Sequence, residues 1–587
     1  MQRNSKPLTW RPRGLSDSLD ASQAGTGSMS ILQDLIPDPS TTGLYQCRPA
    51  AIQLGNINGQ GPFSSGFSTG FQFAPTQPQD LGIISVFKVV GDFVYGMAAS
   101  SITVPGNDLP FAFNLLTNTK VPVTGTITAT TTPASQPFTG SWIPPQMDVV
   151  GSKALLAHPG FSGAGGFWAG YFDISIPNAP VWHATNMGGA ITFAFAPSGV
   201  AQFFNRAYWI YNLPTAPAVI FSDVLNPFNA TNANQILTFG DNVVLTAIAG
   251  LPLSNQLGGI IQSLMVFKNV TNIYQITGDA ALTSNPLSVN TLNVATGTLA
   301  PNSLAPTPLG LAFISPEGLR IIDFNANVSN PMGEDGSGIA IPFQYAFIPS
   351  RISAAANGSI YRVTVQNTRQ QNNPVQEYWY DFIRKTWSGP HGCTQTHARP
   401  YKNTFIITPT FLVGTLWQSD YFQTQNSSFV ENGNAMTWRA QTTLLPDIDE
   451  MVNVCITEAT LDLCFPIGMG NITVLALDQV ASVIHTVTLT SQGGSVPPSN
   501  TPTPYNTIWG AFTWGNALWG SGTTGGGGAS GTILPPLAPY ILPWTGPIVW
   551  SRGSINMSGA SAQGFDLGAL HLRYQVLRQL MNTAAAA

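Results

Sequence analysis

Punctuation is what narrows the folds open to this chain. Short runs rich in Val, Ile, Phe, Tyr, Trp and Thr are cut off by Gly, Pro or Asn before a helical stripe can develop. IISVFKVVGDFVYGMAAS (83–100), GVAQFFNRAYWIYNL (199–213) and NTFIITPTFLVGTLWQSDYF (403–422) are representative. Helix caps followed by a sustained 3.6-residue period are almost absent, so the chain reads as all-β. One exception predicts a helix of about two turns over 28–35 (SMSILQDL), where a Ser precedes a brief apolar stripe and Pro37 forces a stop.

From about residue 81 to 422 the runs recur in units of about 40–60 residues, a period at which antiparallel strands form propeller blades. A recurring grammar supports this: a run, a turn, then an aromatic strand closing on Asp or Asn, as in TNIYQITGD, GLRIIDF and YWYDFIRKTW. Radial repetition solves the edge-strand problem for many short strands, and six or seven blades fit the length. A pair of β-sandwiches would give the same strand spacing. After residue 426 the strands alternate at longer spacing, as in a small β-sandwich. Residues 491–549 carry SVPPSNTPTPYNT, GSGTTGGGGASG and LPPLAPYILPW, which cannot build a core. A last strand, FDLGALHLRYQVLRQLM, alternates Leu570, Leu572, Tyr574 and Val576. The expected organisation is an N-terminal arm or platform (1–78), a β-propeller (79–425), a β-sandwich-like domain (426–490 with 550–587) and a Gly/Pro/Trp-rich tip insert (491–549).

Charge is scarce: 22 Lys and Arg against 27 Asp and Glu make up 8% of 587 residues, where about 25% is usual. The net charge of −5 is not that of a protein that grips nucleic acid. A free monomer with so little charge has weak colloidal protection, whereas a subunit that hides its surface against other copies does not need it. An obligate oligomer is therefore expected. No apolar run reaches the roughly 20 residues of a spanning helix. The opening MQRNSKPLTWRPRG is basic with no apolar stretch behind it, so a secretory leader is not expected.

Catalytic signatures are missing from the linear sequence. The four cysteines, Cys47, Cys393, Cys455 and Cys464, have no CxxC or His-Cys ligand spacing, and the closest histidines, His391 and His397 in HGCTQTH, lack metalloprotease logic. There is no GxSxG elbow, P-loop or GxGxxG turn. Sugar hydrolysis needs two facing carboxylates, but Asp92, Asp173, Glu317, Asp323 and Asp381 stand singly where strands meet turns, as turn-forming residues do. The denser Asp447, Asp449 and Glu450 read as a solvated loop. No catalytic residue, cofactor or resident metal is expected, and the chain reads as a non-enzyme. In IWGAFTWGNALWGSG, Trp509, Trp514 and Trp519 recur every five residues with Gly after each, which fits local aromatic–glycine packing, a tip packing on identical copies, or sugar stacking. Basic residues cluster as Arg3, Lys6, Arg11 and Arg13, either a solvated tail or an arm docking on an acidic partner.

Four segments in this order, LIPDPSTTGLYQCRPA (35–50), FISPEGLRIIDF (313–324), YWYDFIRKTWSG (378–389) and WGAFTWGNALWG (509–520), resemble the tail nozzle proteins of short-tailed podophages, also called tubular tail or tail hub proteins. The resemblance implies a structural virion protein: a ring of six copies continuing the portal and adaptor channel, supporting tail fibres and retaining packaged DNA. Double-stranded DNA would pass without sequence-specific binding, and Arg3, Lys6, Arg11 and Arg13 would dock on the adaptor. It implies a location in the virion tail and assembly in the bacterial cytoplasm. The competing expectation is a carbohydrate-binding or depolymerising propeller at the host surface.

Overall fold

The computed structural model describes most of the chain between residues 6 and 577. The principal stretches outside the description are 16–26, 57–83, 126–143, 333–351, 421–428, 445–452, 490–537 and 578–587. The described residues form strands and two short 3-10 turns, and the fold is all-β.

Seven antiparallel sheets follow one another from Ile84 to Ser419. Six are four-stranded blades: blade 1 (84–121), blade 2 (146–185), blade 3 (199–238), blade 4 (247–291), blade 6 (353–391) and blade 7 (395–419), the last completed by Ile52–Asn56 from near the N-terminus. Blade 5 (305–322) shows three strands among the described residues.

Each neighbouring pair of sheets shares a separate apolar core, and the series closes. Tyr95 and Met97 of blade 1 pack with Leu156 and Phe172 of blade 2. Leu155 packs with Trp209 at the next junction, Tyr208 with Leu264, Phe267 with Phe313 and Ile314 with Tyr361. Trp379 packs with Phe405 at the junction of blades 6 and 7, and Ile406 and Leu416 with Phe87 and Phe111 at the junction of blades 7 and 1. A closed ring of radial sheets is a β-propeller.

This arrangement explains the unbroken apolar runs. In Arg206–Asn212, Tyr208 and Ile210 face blade 4, while Ala207, Trp209 and Tyr211 face blade 2. A blade is buried on both faces, so its strands need not alternate with polar residues.

The remaining strands form two sheets that share a core with blades 5 and 6. One contains the long pair Asn453–Cys464 and Asp566–Leu577, with Lys6–Trp10, Leu35–Pro37 and Tyr45–Cys47. The other contains Ser28–Gln33, Asn434–Thr442, Gly553–Ser561, Ile472–Asp478 and Val483–Leu489, and runs on into blade 6 through Thr386–His391.

The helix expected over 28–35 is corrected: Ser28–Gln33 is a strand. A register shift between Met29 and Ile31 opposite Asn434–Thr442 makes a bulge at Ser30. The extra residue turns Met29 and Leu32 to the same buried side, so a three-residue spacing that mimics a helix arises in extended chain.

Candidate functional site

The first strand of every blade lines the propeller axis, where the sheets enclose a cavity of about 310 Å³. Its wall is mostly small or apolar, as in Ala249, Gly250 and Ala354–Ala356. Five polar side chains join it: Lys88 from blade 1, Gln146 and Asp148 from blade 2, Asn302 from the turn before blade 5, and Arg399 from blade 7.

Asp148 ties three blades together. Its Oδ1 lies 2.9 Å from Lys88 Nζ, and its Oδ2 accepts a 2.7 Å bond from the Gln202 backbone N–H of blade 3. Both groups of the ion pair are half-buried, which places the pair at about 1 kcal/mol or less; its larger effect is to fix where charge sits. Arg399 bridges the ring closure. Its Nε donates to the Phe87 carbonyl of blade 1 at 3.2 Å, and its Nη1 to the Ala398 carbonyl at 2.7 Å. The guanidinium lies 5.7 Å from the Phe87 ring centroid. Burial pulls it down to about 10, and it stays protonated at neutral pH. Among the described residues no carboxylate lies within ion-pairing distance of Arg399. Gln146 is buried, and its Nε2 has no hydrogen-bond partner among the described residues.

The acids singled out in the sequence are not brought together here. Asp173 accepts the Ser175 N–H, Asp323 those of Asn325 and Asn327, and Asp381 those of Ile383 and Arg384. Asp92 is held by Tyr401 Oη at 2.6 Å and Lys402 Nζ at 2.8 Å, which lower its carboxyl below the usual range. Glu317 pairs with Arg320. Each serves a turn or a local contact.

His391 and His397 occupy separate buried settings. Ser388 Oγ is 3.1 Å from His391 Nε2, and His391 Nδ1 is 3.8 Å from Asp34 Oδ1, a combination that invites comparison with a catalytic triad. The hydrogen bonding argues otherwise: the Asp34 backbone N–H donates to Nδ1 at 3.2 Å, so the ring proton sits on Nε2 and points at Ser388. Burial and the Arg48 and Arg362 charges hold His391 well below its ordinary range. Asp34 is instead the partner of the buried Arg48, at 2.9 Å, which also engages Glu431. His397 is pulled to about 3 by burial and the Arg399 charge. Among the described residues no cluster of three or more His, Cys, Asp or Glu side chains forms a metal site.

Lys6 lies on Lys6–Trp10, and Arg11 and Arg13 are exposed. Arg3, Cys393, Asp447, Asp449, Glu450, Trp509, Trp514 and Trp519 lie outside the described residues. Sequence reasoning missed Lys88, Gln146, Asp148 and Arg399. The available signal was a lone charge inside the otherwise uncharged first strand of a unit, as in ISVFKVV and QMDVV.

The sequence matches no family model and no curated protein. Among solved structures, the chain is similar to the β-propeller domain of the trilobed protease of Pyrococcus furiosus (7% identity, 59% of this chain and 96% of that one, TM-score 0.26). It is also similar to an exo-β-1,3-galactanase of Phanerochaete chrysosporium (10%, 66% and 98%, TM-score 0.23) and to an engineered GH43 glycoside hydrolase (9%, 86% and 98%, TM-score 0.23). The expectation that the chain is not an enzyme does not stand, because polar residues from separate blades meet in one cavity that no linear motif announces. That expectation rested on linear motifs, whereas a propeller assembles its site from strands of different blades. At these TM-scores the likenesses assign no activity to this chain.

Proposed function

We propose that the chain is a carbohydrate-binding β-propeller protein whose axial cavity receives part of a saccharide. The observation that carries this reading is the convergence of polar side chains from separate blades on one concave site, with the Gln146 amide donor unsatisfied among the described residues. A sugar presents alternating hydroxyl donors and acceptors over a partly apolar ring, which suits a wall of small apolar residues bearing a few amides and charges. About 310 Å³ is at the lower end of ligand pockets, so the cavity would hold a chain end or a short segment.

Titration calorimetry of the full chain against a panel of oligosaccharides, with reducing-end release followed in parallel, tests the reading. Saturable binding weakened at least tenfold by Asn302→Ala, with folding unchanged, is expected. No binding across neutral and acidic glycans would overturn it.

A second reading, the tail nozzle, is favoured by a different observation. Blade 4 exposes Ile260 (76%) and Val289 (40%) in a chain whose charged content is only 8%. Apolar surface of that kind suits contact with further copies. In this reading the ring would encircle a DNA path lying between subunits, and the propeller cavity would be separate from it.

A further inference from the structure

Arg399 is the cation of the axial cavity that no carboxylate among the described residues neutralises. Lys88 is matched by Asp148, but no carboxylate among the described residues reaches the guanidinium. Two of its nitrogens are committed to the Phe87 and Ala398 carbonyls, which fixes the orientation of the fork and leaves Nη2 without a fixed partner among the described residues. Lys88 stands on the neighbouring strand, since Gln395–Tyr401 packs beside Ile84–Val90. The described lining residues therefore carry one net positive charge in a chain whose net charge is −5.

We propose that the axial cavity selects an anionic saccharide, a sugar acid whose carboxylate is received by Arg399 while Lys88, Gln146 and Asn302 meet the remaining oxygens. This rests on the carbohydrate-binding reading and names its ligand class. A guanidinium already oriented by two backbone carbonyls loses little freedom on accepting a carboxylate, and its weak hydration keeps the desolvation cost low. The apolar wall strengthens the attraction by excluding water from one side. Asp148 does not cancel it, because both Asp148 oxygens are already engaged by Lys88 and the Gln202 N–H.

The test compares the full chain's affinity for a uronic-acid disaccharide with that for the corresponding neutral disaccharide, at low salt and at about 0.5 M salt, with acetate alone as a third probe. The acidic sugar is expected to bind about tenfold or more tightly at low salt, with the preference shrinking at high salt. Arg399→Gln and Arg399→Lys should both reduce the preference for the acidic sugar over the neutral one. Because Arg399 also bridges blades 7 and 1, the salt series on the unaltered protein carries the test if the variants unfold. Equal binding of both sugars overturns the inference and leaves the carbohydrate reading standing. Acetate binding that depends on Arg399, without binding of either sugar, overturns the carbohydrate reading and supports the anion site. Binding of none of the three overturns both.

Discussion

Asp566 shows how far a residue's setting can depart from what its identity announces. Burial, with a smaller contribution from Asp38, pushes its carboxyl up to about 6. Between about pH 4 and 6 the folded chain therefore holds a proton that the unfolded chain has released. Folding stability contributed by this group is present below about pH 4 and is lost as pH rises through 6. Asp566→Asn should remove the effect. In urea unfolding between pH 4 and 7, the unaltered protein should lose about 2 kcal/mol relative to the variant, after allowance for the group's partial exposure; parallel profiles would refute the assignment. His397, pulled to about 3, acts with the opposite sign: its neutral form favours folding above about 6.5, and that contribution is lost as pH falls toward 3. What the sequence made legible at this scale was local. Asp173, Asp323 and Asp381 bond the backbone of the turns that follow them, and an Asp ahead of a turn announces that role. Lys88, Asp148 and Arg399 were illegible because their meaning depends on residues more than fifty positions away, which no window along the chain contains.

Strands were recognisable as a class, since β-branched and aromatic runs between breakers have few other solutions. Their partners were not. Ile52–Asn56 reads as one more short run, yet it completes blade 7 by pairing with Thr415–Ser419, over 350 residues away. Leu54 carries the apolar part of that closure, packing into the core shared by blades 7 and 1. Leu54→Ala should destabilise the chain by about 2–4 kcal/mol. Hydrogen exchange gives the more specific check: Thr415–Ser419 and Ile84–Val90 should lose protection before Gly199–Phe203 on the far side of the ring. A uniform loss of protection would mean that the closing strand does not guard the ring. Ser28–Gln33 was misread for a related reason, because a bulge is induced by the partner strand and leaves in the sequence only the helical-looking separation of Met29 and Leu32.

At the scale of the whole molecule, the scarcity of charge has two sources that predict different behaviour. Blades buried on both faces need few polar residues, and the seven junction cores account for much of the apolar content. That source demands no partner. The exposed apolar residues of blade 4 are different, because nothing among the described residues buries Ile260 or Val289, and all four residues of Ser288–Thr291 face solvent. If these surfaces join copies, sedimentation at micromolar concentration should find assemblies well above 62.3 kDa, ring-shaped if the contact is head-to-tail and closes. The double substitution Ile260→Lys with Val289→Lys should return the chain to single copies, because unpaired charges buried in an apolar contact cost several kcal/mol, without moving its thermal midpoint by more than a few degrees. Single copies in the unaltered protein would leave blade burial as the sufficient cause of the low charge and remove the composition argument for a ring.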